Sequence, residues 1–133
     1  PVAPLYNYLK KYPEDILGQF YAQYGPVEKF SQQTSSPALG MLNSGLQLYW
    51  LKYAKPAIFQ KIHQSLHLPQ YLSFLFTGKA VSEYTSIGCH TGLWDFGKAD
   101  YHAWVYREVI DRLLPPIVPT QTSFEGKIGD QSL

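Results

Sequence analysis

Cysteine is nearly absent. The single one, Cys89, excludes an intramolecular disulfide and a cysteine-based zinc site, and fits a reducing compartment such as the cytoplasm. Charge is scarce too: Asp, Glu, Lys and Arg make up 16% of the chain, against a usual share of about a quarter. Eleven basic and ten acidic residues leave a formal charge of +1, which removes the electrostatic argument for a nucleic-acid partner or an anionic membrane surface. No apolar run approaches the roughly 18 residues of a membrane span, and nothing at the start reads as a signal peptide. Phosphate-binding glycine loops are missing. Gly18, Gly40 and Gly45 stand alone, and neither GxGxxG nor GxxxxGK[ST] occurs. There are no repeats and no low-complexity tract.

What the chain has in excess is aromatic side chains. Three Trp, seven Phe and eleven Tyr make up 16% of its 133 residues, a composition opposed to disorder. A chain of this length forms one domain and buries about two-thirds of its unfolded surface. So many rings in so small a core lead us to expect that part of the surface is covered by something else. The chain opens on Pro1 and stops at Leu133 without a polar tail, which reads as a fragment.

Pro13-Glu14-Asp15 reads as a helix start, because proline is tolerated in the first turn and acids favour the positive end. Ile16, Leu17, Phe20, Tyr21 and Tyr24 continue it until Gly25-Pro26. Ser31 to Gly40, polar and broken by Pro37, reads as loop. Leu42, Leu46, Tyr49, Trp50 and Tyr53 form one wide apolar stripe of a second helix. A short helix is expected from Pro56 to about His63, and another over Leu68 to Leu75 with a stop at Thr77-Gly78. Val81 to Gly88 and Leu93 to Phe96 suit short strands. Tyr101 to Leu114 reads as a helix with Val105, Val109 and Leu113 on one face, ended by Pro115-Pro116. The remainder reads as loop, with a strand near Lys127-Ile128. The pattern is helix-rich α/β without clean βαβ alternation.

Candidate chemistry is sparse. His63 and His67 are spaced i, i+4, but Pro69 follows closely and no third ligand is near, so we read them as surface or capping residues and assign no metal site. Cys89-His90 resembles a nucleophile beside a base only superficially, since neighbouring side chains point apart; a buried cysteine at a strand end is the expectation. The rings of Tyr49, Trp50, Tyr71, Phe74, Phe76, Tyr101, Trp104 and Tyr106 could stack on sugars, but at helical spacing they read as core. Glu83, Asp95 and Asp130, taken singly, read as caps, turns or surface residues. An acid after glycine in a loop, as in Gly129-Asp130-Gln131, is also where a general base can be displayed.

Taken in order, Leu48-Tyr49-Trp50-Leu51-Lys52, then Leu68-Pro69-Gln70-Tyr71-Leu72 through Leu75-Phe76-Thr77-Gly78-Lys79, then Val81-Ser82-Glu83-Tyr84-Thr85-Ser86-Ile87-Gly88 resemble the FGGY family of carbohydrate kinases. In that family a helix ending in Trp-Leu-Lys is followed by LP-x-x-YL-x-x-x-LTG and T-[DE]-x-[ST]-x-A segments. A T-x-L-x-D turn comes next, matched by Thr91-Gly92-Leu93-Trp94-Asp95, and then a helix ending where Leu114-Pro115-Pro116 stands. The agreement runs over roughly residues 42 to 120. Pro4-Leu5-Tyr6-Asn7 resembles the strand end before the family's sugar-contacting loop. Departures exist: Gln47 stands for the family's lysine, Glu83 for the commoner Asp, and the Tyr6 to Lys11 loop lacks the Trp and Arg pattern of glycerol kinases.

The resemblance implies an α/β fold, part of a ribonuclease-H-like (actin-like ATPase) domain, helix-rich with short strands. Residues 1–133 would be a partial N-terminal, sugar-binding domain, with the phosphate-binding hairpin and the C-terminal nucleotide domain absent. The implied activity is ATP-dependent phosphorylation of a sugar hydroxyl in the full-length enzyme, with ATP and Mg²⁺ as cofactors and none bound by this chain alone, which should be inactive. Asp130 would be the catalytic base and Gln131 would help place the sugar. The implied partner is a small sugar, with no nucleic acid and no membrane; a homodimer of the full-length protein stays open. Failure of the glycerol pattern leaves a deoxy-sugar ketose or a pentulose by elimination. The alternative reading is a non-catalytic α/β module that binds a sugar or a protein partner.

Overall fold

The computed structural model describes residues 1–125, together with the strands Lys127–Ile128 and Gln131–Ser132. Prolines set the helix starts. Pro13 and Pro26, both extended, occupy the N-cap positions of α1 (Glu14–Tyr24) and α2 (Val27–Thr34). Pro56 and Pro69 lie in the first turns of α4 (Pro56–Phe59) and α5 (Leu68–Thr77), where a missing N–H costs nothing. Between them runs α3 (Ser44–Ala54), preceded by a single 3-10 turn at Gly40–Leu42. The second half is irregular: α6 (Tyr84–Ile87), an antiparallel pair β1 (Trp94–Asp95) and β2 (Asp100–Tyr101), α7 (Ala103–Arg107), a 3-10 turn at Asp111–Leu113, and the paired strands β3 (Lys127–Ile128) and β4 (Gln131–Ser132).

The aromatic excess is largely core. Phe20 on α1 is fully buried and meets Phe30 of α2, Tyr49 of α3 and Trp104 of α7 edge-on, with ring centroids 5.2, 5.0 and 5.1 Å away. Each such pair adds about 0.5–1.5 kcal/mol beyond the area it buries. The indole N–H of Trp104 donates to the Gly92 carbonyl at 2.7 Å, so the largest buried ring leaves no polar atom unsatisfied.

The start of α3 is the tightest joint. Gly45 N–H donates to the Thr91 carbonyl at 2.9 Å, and a Cβ on Gly45 would lie 2.8 Å from both that oxygen and Leu93 Cδ2. Only a residue without a side chain lets the helix approach this closely. Asn43, buried just ahead of α3, accepts from Leu39 N–H and donates to the Pro37 and His90 carbonyls, tying both flanking loops to the joint.

Four expectations are corrected. Val27–Thr34 is helical where Ser31 onward reads as loop; Phe30 and Thr34, four apart, are its buried face, and Gln32 between them is exposed. Val81–Gly88 is not a strand. Ser82 makes one parallel bridge to Ile117, and Glu83 then caps α6 with its own side chain. The helix expected to Leu114 stops at Arg107, because Val109 adopts φ of +58° and is 46% exposed. Leu42, placed in the α3 stripe, lies in the preceding 3-10 turn and is exposed.

Candidate functional site

Two polar assemblies stand among the described residues. The first joins the starts of α3, α5 and α6. His67, at the N-cap position of α5, places Nε2 2.9 Å from Ser44 Oγ at the first residue of α3. Burial holds the His67 imidazole below its ordinary value, with Glu83 pulling the other way, so the ring is neutral near pH 7. A hydroxyl beside a neutral imidazole is the start of a nucleophile–base pair, which needs a third group to orient the base. Glu83 does not supply it. Its Oε2 accepts from Thr85 N–H at 2.7 Å and Thr85 Oγ at 2.5 Å, and its Oε1 accepts from Ser86 N–H at 2.9 Å and Gln70 Nε2 at 3.2 Å. Burial raises the Glu83 carboxyl, but these donors overcome it and leave the group below the ordinary carboxylate range. The assembly is a helix cap that holds α5 against α6 through Gln70, which also donates to Ser86 Oγ at 2.8 Å.

The second assembly surrounds Glu108, buried just beyond α7. Tyr24 of α1 donates to Oε1 at 2.5 Å, while Lys52 and Tyr53 of α3 donate to Oε2 at 2.5 and 2.9 Å. Lys52 also donates to the Glu108 carbonyl at 2.9 Å. Burial alone would raise this carboxyl; the three donors more than offset it and keep it ionised. The same carboxylate pushes the Tyr53 hydroxyl, already raised by burial, up to about 12. Both carboxylate oxygens are engaged, so Glu108 ties α1 and α3 to the end of α7.

The residues expected to carry chemistry are only partly within view. Asp130 lies outside the described residues, and Gln131 is described by its backbone alone, in β4. His63 is exposed, whereas His67 faces Ser44. Among the described residues no three His, Cys, Asp or Glu side chains are grouped to hold a metal ion. Cys89, expected buried, is exposed, because its segment forms a loop after α6, and His90 beside it adopts φ of +53°. Asp95 is a turn residue: Oδ1 accepts from Gly97 and Lys98 N–H at 3.0 and 3.2 Å. Trp50 and Tyr49 are core, as read, whereas Phe76 and Tyr106 are exposed. Gln47, which departs from the family pattern, donates to the Met41 carbonyl at 2.5 Å and braces the turn ahead of α3. The Lys52–Glu108 tie was missed; its two charged residues stand 56 apart in the sequence, one in α3 and one just beyond α7. Among the described residues no helix is long and apolar enough to cross a membrane.

Residues 21–130 match the N-terminal domain of the FGGY family of carbohydrate kinases. Over 59 residues, 40% of this chain, the sequence is 41% identical to a rhamnulokinase of Halalkalibacterium halodurans, and over the same length 39% identical to one of Oceanobacillus iheyensis. Those matches span 13% of each relative. A solved carbohydrate kinase from Novosphingobium aromaticivorans is 33% identical and superposes with a TM-score of 0.71 over 84% of this chain and 23% of its own. Glycerol kinase from Plasmodium falciparum, 21% identical, shares the fold over 96% of this chain and 27% of its own, with a TM-score of 0.72. The fold is thus the helix-rich α/β type of part of a ribonuclease-H-like, actin-like domain.

Proposed function

The chain belongs to the FGGY family of carbohydrate kinases, and from that premise we propose that it is part of the sugar-binding domain of an enzyme that phosphorylates a sugar hydroxyl with ATP. The observation that supports this most is the 33% identity to a solved carbohydrate kinase, sustained over 84% of the chain at a TM-score of 0.71. The same class of substrate follows from the stretch that is 41% identical to a rhamnulokinase. Of the deoxy-sugar ketose and the pentulose left open by elimination, that likeness agrees with the deoxy-sugar ketose and makes rhamnulose the first compound to try.

The described residues do not fit MgATP. They carry no cluster of carboxylates for the ion and no glycine loop for the phosphates. ATP and Mg²⁺ therefore belong, in this reading, to residues other than those described. What this chain contributes, in this reading, is part of the sugar-binding domain and a proton acceptor. Asp130 accepts the proton of the attacking sugar hydroxyl, and Gln131 positions the sugar beside it. Positioning is the larger part of such catalysis, so an aspartate of ordinary basicity suffices.

The test is ADP release by the full-length protein over a panel of rhamnulose, xylulose, gluconate and glycerol. Stimulation by one of them over the sugar-free rate is expected; none above that rate would turn the reading to a non-catalytic binding module. With the active sugar, Asp130→Asn should lower turnover at least about a hundredfold, the low end for loss of a general base. Turnover within a factor of two of wild type would move the base to another residue.

A further inference from the structure

A small cavity of about 190 Å³ opens between the end of α1, α2, the β1–β2 turn and α7. Three cations line it: Lys29 from α2, Lys98 from the turn and Arg107 from α7. Several other cations are already engaged. Lys11 and Lys52 pair with Glu14 and Glu108, Lys10 and Lys55 sit over the Trp50 ring, and Lys79 sits over Phe124. Lys29 and Arg107 make no ion pair among the described residues, and both are exposed at this cavity. Lys98 lies 3.8 Å from Asp95 Oδ2, while Asp95 Oδ1 accepts from two backbone N–H groups.

The neutral groups are arranged to match. His102, buried, takes the Trp104 N–H at Nδ1 (3.4 Å), so its proton sits on Nε2 and is donated to Gln33 Oε1 at 3.2 Å. That fixes the amide of Gln33, a residue that lines the same cavity and whose NH₂ makes no hydrogen bond among the described residues. Burial, with Lys98 and Arg107 adding to it against Asp95, holds the His102 ring below its ordinary value. It therefore serves as a neutral orienting group.

We propose that this cavity binds the phosphate group of a small anion, with Arg107 as a planar two-donor contact, Lys29 and Lys98 as point charges, and the Gln33 amide as a neutral donor. Pockets that enclose whole drug-sized ligands run about 300–1,000 Å³. At about 190 Å³ and open to solvent, this one has room for a phosphate group but not for a whole drug-sized ligand. The inference does not depend on the kinase reading.

Titration calorimetry of the full-length protein at fixed ionic strength tests it, with inorganic phosphate in one arm and a hexose phosphate in the other. Saturable binding of inorganic phosphate is expected. The double variant Lys29→Gln with Arg107→Gln should raise its Kd at least about tenfold, since two charge-assisted contacts are lost, while Lys11→Gln leaves it unchanged. Equal Kd for both probes assigns recognition to the phosphate alone; tighter binding of the hexose phosphate adds contacts outside the cavity. An unchanged Kd in the double variant, or equal heats with chloride, overturns the proposal. Both side chains are exposed, so the variants should keep the wild-type melting temperature without phosphate; the two single variants carry the test if the double one does not. Sugar phosphorylation at low phosphate should stay within a factor of two, which separates failure of this site from failure of the kinase reading.

Discussion

Replacing Lys52 by methionine keeps most of the volume of the side chain but removes the cation from the Glu108 tie. The carboxylate would then stay buried with only the Tyr24 and Tyr53 hydroxyls to solvate it. Removing one member of a buried pair costs about 3–5 kcal/mol. Lys52 is 28% exposed and therefore partly screened, so we place Lys52→Met at about 2–4 kcal/mol. The loss depends on pH, and the sign follows from Glu108. In the wild type its folded pKa is depressed, so its contribution is present above the unfolded value of about 4.3 and disappears as pH falls through the lower folded value. Without the lysine only the two tyrosine hydroxyls oppose burial, so the folded pKa rises from its depressed value and the stabilisation present above the unfolded value shrinks. Urea unfolding followed by tryptophan fluorescence, with Trp104 as the buried reporter, should show a larger deficit at pH 7.5 than at pH 4.5. The double variant Lys52→Met with Glu108→Leu should recover at least half of the loss, because a well-packed apolar pair often replaces a buried ion pair at little cost. A deficit that is equal at both pH values, or a double variant no better than the single, would refute this account of the tie.

Gly45→Ala forces a Cβ to within 2.8 Å of the Thr91 carbonyl and the Leu93 side chain, and should destabilise the protein by about 1–3 kcal/mol, the range for overpacking. Thermal melts check it, and a variant as stable as wild type would mean that the joint yields more easily than the geometry indicates. Glu83→Ala removes the side-chain acceptor of the Thr85 and Ser86 N–H groups and should cost about 0.5–2 kcal/mol, the range for an N-cap. Amide exchange at Ser86 should rise in this variant while exchange at Trp104 does not.

The local signals of the chain were readable because they are backbone chemistry. Pro13, Pro56 and Pro69 open helices, and Gly78, in the left-handed region at φ of +68°, closes α5, as their residue types dictate. Misreadings fell where a side chain or a distant contact decides. Val81–Gly88 has strand-like composition, yet Glu83 supplies two acceptors to the N–H groups ahead of it, and that local capping tips the segment to a helical turn. Val109 sits in the left-handed region, which a β-branched residue disfavours; no sequence pattern announces such a break, and tertiary packing of Ile110 into the core imposes it. The family was legible from ordered short motifs spread over some eighty residues. The Glu108 tie and the cationic cavity were not, because each joins residues of at least three elements that only folding brings together.

Direct detection of product tests the central claim. The full-length protein, incubated with ATP, Mg²⁺ and rhamnulose or another sugar of the panel, should give a new sugar phosphomonoester by phosphorus NMR, in step with ADP. ATP hydrolysed to free phosphate alone, with no phosphate ester from any member of that panel, would contradict it.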